Sequence, residues 1–541
     1  MEDYRQIILN ARPGQIVPIV KEMDIAEPVD FFAKLSDYGR AKNCALFEAS
    51  DYLSENALSF GTARPALYLT GTTNEFTIKA LSNTGRRIIE YLSSKKERFA
   101  FCESVEFSPE EIVGRIKKVE KIVDEQTRLK STNQMDVLRA VAFAFKLASK
   151  PFRVTCGLLG AISYDFIDQF EKLPPNEVDE LGNPDYELYF ADNIFLMDHQ
   201  AGTRLGEGRG RSGKGYVIVN CIITDGDREA LIAEVQQCFD YYFNIAKLQT
   251  PKGNRFTGQL PQSSTDTSQA EYENMVKRAK QHIIDGDIFQ VVLSRTKIEP
   301  CPDEPLDVYK RLRVLNPSPY MFYLNTPNTI LMGSSPELNL RVSGAEPRAV
   351  EIRPIAGTKP RGRVAGQIDD DTDFRYEAEL KLDHKELAEH MMLVDLARND
   401  IARVAEPGSR VVTELLIVEK YESVQHLVSN VKGTLAKGLD ALSAYLATMN
   451  MGTLTGAPKI EAMKIIRKFE KTKRGYYGGA VMYLTVDGQF DSCITIRSLQ
   501  VKDHTAYIRV GAGIVHDSVP KTEFEETEHK AGSCLRAIRG E

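Results

Sequence analysis

Tyr272-Glu273-Asn274-Met275-Val276-Lys277-Arg278-Ala279-Lys280-Gln281-His282-Ile283-Ile284 reads as a helix, and Phe289-Gln290-Val291-Val292-Leu293 behind it reads as a strand. Working outward, helical patterns return at Lys385–Leu396 and Pro458–Phe469, and strands at Ala480–Thr485 and Tyr507–Val510. Upstream, Asn193-Ile194-Phe195-Leu196-Met197 and Tyr216-Val217-Ile218-Val219-Asn220 are also strand-like. Strands in pairs with helices between them, without regular βαβ alternation, predict an α+β fold rather than a doubly wound sheet. Residues 249–270 are polar and rich in Pro, Gly, Ser and Thr, so they read as a linker or surface crossover. This divides the chain into 1–260 and 271–541. No internal repeat is evident.

At 541 residues the chain is long enough for a large core and more than one domain. Hydrophobic content of 42% and charged content of 27% are those of a globular protein. The net charge of −7, with signs interspersed, gives no reason to expect nucleic acid as a partner. The opening Met1-Glu2-Asp3-Tyr4-Arg5 lacks a secretory pattern, and no apolar run reaches membrane-spanning length. Eight cysteines without a CxxC pair point to reduced thiols in the cytoplasm rather than disulfides or zinc. Gly208-Arg209-Gly210-Arg211-Ser212-Gly213-Lys214-Gly215 has phosphate-loop spacing, but Gly215 stands where Ser or Thr must hold Mg²⁺. A strand also follows it where a helix is needed, so it reads as a basic hairpin loop.

Acidic residues recur on two helix-like segments. Asp383-His384-Lys385-Glu386-Leu387-Ala388-Glu389-His390 and Pro520-Lys521-Thr522-Glu523-Phe524-Glu525-Glu526 each place two glutamates at i, i+3, on one helix face. Lys530 returns to the second face four residues on. Brought together, Glu386, Glu389, Glu523 and Glu526 would repel one another unless a cation sat among them. Oxygen ligands with no thiolate or paired imidazole nearby favour Mg²⁺ over zinc.

Between these segments lie Pro354-Ile355-Ala356-Gly357-Thr358-Lys359-Pro360-Arg361-Gly362, Asp395-Leu396-Ala397-Arg398-Asn399-Asp400 and Met451-Gly452-Thr453-Leu454-Thr455-Gly456-Ala457-Pro458-Lys459. Gly475-Tyr476-Tyr477-Gly478-Gly479, Ile496-Arg497-Ser498 and Gly511-Ala512-Gly513 follow. In this order the strings resemble the chorismate-utilising enzymes and, within them, the large subunits of anthranilate synthase. The resemblance is dense over 275–541 and thinner before it. It implies two antiparallel β-sheets packed as a sandwich with helices outside. A regulatory N-terminal domain over 1–260 would contribute part of the sandwich, and 271–541 would bind chorismate.

The chemistry so implied is amination of chorismate at C2 with loss of the C4 hydroxyl, then release of pyruvate to leave anthranilate. By resemblance, Glu389 and Glu526 bind Mg²⁺ directly, and Glu386 and Glu523 act through bound water. Gly511, Ala512, Gly513 and Lys530 lie where the family contacts substrate carboxylates, Tyr477 and Arg497 where it holds the enolpyruvyl carboxylate, and Thr453 on the pocket wall. Glu337, in Ser335-Pro336-Glu337, matches the acid that protonates the C4 hydroxyl, which requires a raised pKa. His426, in Gln425-His426-Leu427-Val428-Ser429, matches the histidine of the elimination half, and Thr358 is a polar contact.

Two positions separate the family's reactions. Relatives that add water use a lysine base where this chain has Gln290, which cannot deprotonate water. Relatives that aminate at C4 use a lysine nucleophile where it has Ala356. Both argue for amination at C2. The alternatives are a 2-amino-2-deoxyisochorismate synthase, a feedback-insensitive anthranilate synthase of secondary metabolism, and a catalytically dead sensing or scaffold homologue.

No cysteine has the glycine-rich elbow of a glutaminase nucleophile, so ammonia is expected from a separate glutaminase subunit, anthranilate synthase component II, in a hetero-oligomer. The family senses tryptophan through two strings. Asn316-Pro317-Ser318-Pro319-Tyr320-Met321 is intact. The other reads Leu46-Phe47-Glu48-Ala49-Ser50, with Ala49 where serine is expected; a lost hydrogen bond there is worth about 0.5–1.5 kcal/mol. Ser50 would face the opposite side of a strand. The chain contains no tryptophan, which suits an enzyme translated when tryptophan is scarce.

Overall fold

The computed structural model describes residues 4–49, 57–117, 129, 131–176, 178–200, 213–364, 367–421 and 424–541. Ser50 and most of the basic loop, residues 208–212, lie outside the described residues.

Alternation along the strands decides the layering. In Asn193–Asp198, Ile194 and Leu196 enter one hydrophobic cluster, while Phe195 and Met197 enter another. Tyr320–Asn325 divides the same way, with Phe322 and Leu324 in the first cluster and Met321 and Tyr323 in the second. Gly157–Ile162 sends Leu159 and Ala161 to the first cluster and Leu158 and Ile162 to a third. A period of two on strands buried on both faces is a layered structure. The shared cluster lies between two sheets, and helices cover the outer faces. Each large side chain so buried contributes roughly 1.5–3 kcal/mol.

Among the described residues each of the two large sheets has 13 strands, paired antiparallel apart from the short contact of Gln15–Met23 with Lys146–Leu147. Strands from both halves of the chain sit side by side in both sheets. Cys44–Glu48 pairs with Tyr320–Asn325 in one, and Gly157–Ile162 pairs with Ala480–Thr485 in the other. The fold is α+β. The stretch 249–270 is mostly exposed coil and joins the halves without confining a sheet to either.

The expected helices appear as Gln269–Ile284, His384–Ala402 and Lys459–Phe469. The first starts at a capping box: Ser268 accepts from the Glu271 N–H while the Glu271 side chain accepts from the Ser268 N–H. Among the described residues no helix is long and apolar enough to cross a membrane.

Candidate active site

Two helices turn acidic residues toward each other. At the start of His384–Ala402 the Asp383 side chain accepts from the Lys385 and Glu386 N–H groups, fixing the first turn that carries Glu386 and Glu389. Pro520–Arg539 has proline in its first turn and carries Glu523 and Glu526. Burial raises the pKa of Glu386, Glu389 and Glu523 above the ordinary carboxylate value, and neighbouring carboxylates add to it. Glu526 acts on all three, and Glu523 acts on Glu389. The four groups share one electrostatic space, as the spacing predicts.

Among the described residues no three acidic, histidine or cysteine side chains converge closely enough to hold a metal ion as they stand. Lysines partly screen the charge: Lys385 is 3.7 Å from Glu389, and Lys530 is 2.5 Å from Glu526. The donor set nevertheless fits a hard divalent cation. All four groups offer oxygen, and Glu389 Oε1 is buried without a hydrogen-bond partner.

A β-bulge places the histidine. Strands Ile355–Pro360 and Val424–Thr434 pair Ala356 with Leu427 and Thr358 with His426, leaving Gly357 as the extra residue. Its φ of +74° is the left-handed geometry that favours glycine there. His426 Nδ1 consequently sits 2.9 Å from Thr358 Oγ1 and 3.1 Å from the Gly357 carbonyl. A carbonyl only accepts, so Nδ1 carries the proton in that bond and Nε2 presents its lone pair. Burial lowers the His426 pKa, partly offset by the Gly357 carbonyl and reinforced by the Arg497 charge, so the ring is a neutral base. A Cβ on Gly357 would stand 3.1 Å from Glu386 Oε2, so the bulge also touches the acidic helix.

Glu337 follows the end of strand Ile330–Ser335. Its carbonyl accepts from the Ile494 N–H at 3.1 Å, and the Ser335 hydroxyl donates to the Ile494 carbonyl at 2.7 Å. Burial pushes its carboxyl up to about 8 despite the nearby Thr453 hydroxyl, the Ile355 backbone and the Lys530 and Arg497 charges. Glu337 Oε1 and Thr453 Oγ1 are both buried without hydrogen-bond partners. Two adjacent orphaned polar atoms beside cations form a place for a polar ligand.

Arg497 has φ +50°, a region arginine seldom adopts, and its guanidinium forms no hydrogen bond or ion pair among the described residues. Tyr477 is buried with the Arg474 guanidinium 5.8 Å from its ring centre. Strand Thr505–Ile514 sets Gly511 opposite Ser294 and Gly513 opposite Val292. A Cβ would come within 3.0 Å of the Tyr477 hydroxyl at Gly511 and 3.3 Å of Gln290 Nε2 at Gly513. Glycine at both lets these side chains lie on the backbone. Lys530 Nζ donates to the Gly511 carbonyl at 3.0 Å. The methyl of Ala512 points instead into the apolar cluster with Tyr272 and Leu293, leaving only its backbone on this edge.

The arrangement sets a neutral buried acid and a neutral base beside the Arg497 guanidinium, the glutamate-paired Lys385 and Lys530, and a cluster of carboxylates. A family model described as chorismate binding enzyme matches residues 90–536. The chain belongs to the chorismate-binding enzymes. Anthranilate synthase component 1 of Haemophilus influenzae is 38% identical over 526 residues, covering 95% of this chain and 96% of that protein. Its Escherichia coli K12 counterpart is 40% identical over 502 residues, 91% of each. The crystal structure of anthranilate synthase component I from Streptococcus pneumoniae TIGR4 superposes with a TM-score of 0.68 at 28% identity, over 89% of this chain and 93% of that one.

In this chorismate-binding enzyme the second site candidate lies between the sheets. A cavity of about 670 Å³ is lined by Glu48, Ala49, Pro317, Pro319, Tyr320 and Met321, among others. Met321 pairs directly with Glu48 across the strands, bringing the two strings together from opposite ends of the chain. Glu48 is buried and accepts from the Tyr309 hydroxyl at 2.6 Å and from Arg313 at 3.0 Å. Asn316 and Ser318 do not line the cavity; Asn316 instead donates to the Ser334 carbonyl at 3.2 Å.

One constellation had no signal in the sequence reading. Buried Glu470 accepts from Arg474, Arg509 and Ser294, and Arg474 reaches from it to the ring of Tyr477. Burial alone would raise its pKa, but the two guanidiniums hold it below the ordinary value. Glu470 caps the end of the helix Lys459–Phe469 and Arg474 lies in the coil beyond it, so no helical spacing marks the pair.

Proposed function

We propose that this enzyme converts chorismate and ammonia to anthranilate and pyruvate, the first committed step of tryptophan biosynthesis. The observation that carries the reading is the pairing of opposite protonation states: Glu337 buried with its proton on, and His426 buried with its proton off at Nε2. Glu337 donates its proton to the departing C4 hydroxyl while ammonia adds at C2. Neutral Gln290, against Gly513, and Ala356, in the bulge, leave neither a base for water nor an amine nucleophile at the positions where relatives carry lysine.

His426 then takes the C2 proton, and Thr358 and the Gly357 carbonyl keep its Nδ1–H in place. Arg497 and Tyr477 orient the enolpyruvyl carboxylate, and Lys530 with the Gly511–Gly513 edge holds the ring carboxylate. Glu386, Glu389, Glu523 and Glu526 would hold Mg²⁺, which when bound supplies a Lewis acid for the ring carboxylate. The donor set and the orphaned Glu389 oxygen support that assignment. A separate glutaminase subunit would supply ammonia, and the cavity between the sheets would receive tryptophan.

Incubation with chorismate, Mg²⁺ and ammonium, following anthranilate fluorescence and pyruvate together, tests the reaction. Both signals should rise and both should vanish with EDTA. Chorismate consumption without pyruvate would replace this reading with a 2-amino-2-deoxyisochorismate synthase.

A further inference from the structure

The hydrogen bonds to His426 both meet one vertex of the imidazole. Thr358 and the Gly357 carbonyl both meet Nδ1. Neither partner touches the far side of the ring, where Nε2 must face the substrate.

A further constraint on the ring is Tyr421. Its ring stands edge-on to the His426 ring, centroids 5.6 Å apart at an interplanar angle of 62°. The tyrosine is itself fixed at both ends. Its hydroxyl donates to Glu419 Oε2 at 2.9 Å, and Glu419 is ion-paired with Arg353. Its N–H donates to the Val424 carbonyl at 2.8 Å, and its own carbonyl accepts from Arg361 at 2.7 Å. Arg361 is in turn clamped bidentate on Asp373 at 2.8 and 3.0 Å. A surface tyrosine kept only for packing has no need of three such anchors. Glu419 also pairs directly with His426 across the strands, so the whole set belongs to one face of the hairpin.

We propose that Tyr421 is a positioning residue for pyruvate elimination, holding the imidazole of His426 so that Nε2 faces the C2–H bond. The inference rests on the assignment of His426 to that half of the reaction. In the step concerned, the C2 proton passes to Nε2 and the C2–H electron pair becomes the aromatic C2–C3 bond. The C3–O bond breaks, and its pair leaves on enolpyruvate, which takes up a proton to give pyruvate. Amination precedes this step and does not use His426. Loss of the tyrosine ring therefore separates the two halves, whereas general damage to the site would slow both.

The test is product partition in Tyr421→Leu, Tyr421→Phe and His426→Asn, with chorismate loss and pyruvate release measured side by side. Tyr421→Leu should consume chorismate within about twofold of the parent rate while pyruvate release falls about tenfold, the scale of a misdirected catalytic group. The amino intermediate should accumulate in proportion. Tyr421→Phe keeps the ring and should restore most of the pyruvate release. Parallel loss of both halves in Tyr421→Leu would overturn the proposal, leaving the ring as ordinary packing, and so would pyruvate release at the parent rate. The His426→Asn control keeps the two levels apart. If it still releases pyruvate, the assignment of His426 itself falls, and the positioning role with it.

Discussion

Glu337 carries a proton at neutral pH because burial makes the carboxylate costly, and the cations near it do not win that contest. His426 runs the other way, with burial pushing its proton off. The two set a window. Activity should fall as pH rises through about 8, where Glu337 deprotonates, and should fall on the acid side where His426 takes up a proton, below the ordinary imidazole value of about 6.5. A bell-shaped profile of kcat/KM against pH checks both limbs. The same shift is a statement about stability. The folded chain binds the Glu337 proton more tightly than the unfolded one, whose value is near 4.5, so its contribution to stability falls as pH rises from there through about 8. Glu337→Gln removes that penalty. It should melt at a higher temperature than the parent at pH 8, converge with it toward pH 5, and lose amination by about 10²-fold or more. In the sequence, Ser335-Pro336-Glu337 is a turn-like string whose role came only from resemblance. Burial of its carboxyl depends on strands hundreds of residues away and is not written locally.

Elements decide which of these residues meet. Period-two patterns gave Ala480–Thr485 its limits and placed Phe289–Leu293 at the head of Gln290–Pro300, because alternation is a local property. Pairing is not local: nothing in Pro354–Gly362 says that it lies against Gln425–Ser429, and so the bulge at Gly357 and the contact of Tyr421 with His426 went unread. The glycine itself was the available sign, an isolated Gly within a strand. Gly357→Ala places a Cβ at φ +74°, 3.1 Å from Glu386 Oε2 and 3.2 Å from Leu380. It should destabilise the protein by about 1–2 kcal/mol, seen as a lower melting temperature, and slow pyruvate release more than chorismate loss as the bulge turns Thr358 off His426. The acidic helices behave as the i, i+3 spacing predicts, although their side chains do not close on one point. Glu389→Gln removes one ligand charge while easing the repulsion among the rest. The Mg²⁺ concentration for half-maximal anthranilate formation should therefore rise about tenfold or more, with melting temperature in EDTA unchanged or higher.

At the scale of the molecule, the interleaving of both chain halves in both sheets puts the interior cavity and the candidate active site on either side of one wall. Pro336 lines the cavity and Glu337 the site; Tyr421 lines the cavity and meets His426. Sequence strings from opposite halves of the chain become strand neighbours at Glu48 and Met321, a pairing that neither string shows when read alone. Glu48 stays buried because Tyr309 and Arg313 satisfy its oxygens, while burial itself raises its pKa above the ordinary carboxylate value. Aromatic neighbours such as Phe47, Phe60 and Tyr483 on the cavity wall suit an indole. What Ala49 lacks is a hydroxyl on the same wall. Ala49→Ser restores one, worth about 0.5–1.5 kcal/mol if it meets the ligand, which is roughly a two- to tenfold tighter hold. Inhibition of anthranilate formation by added tryptophan should shift to lower concentration by that factor in the variant, with the uninhibited rate unchanged. An inhibition curve that does not move would mean that the hydroxyl faces no ligand, and that the cavity recognises its occupant through Glu48 and the proline-rich string alone.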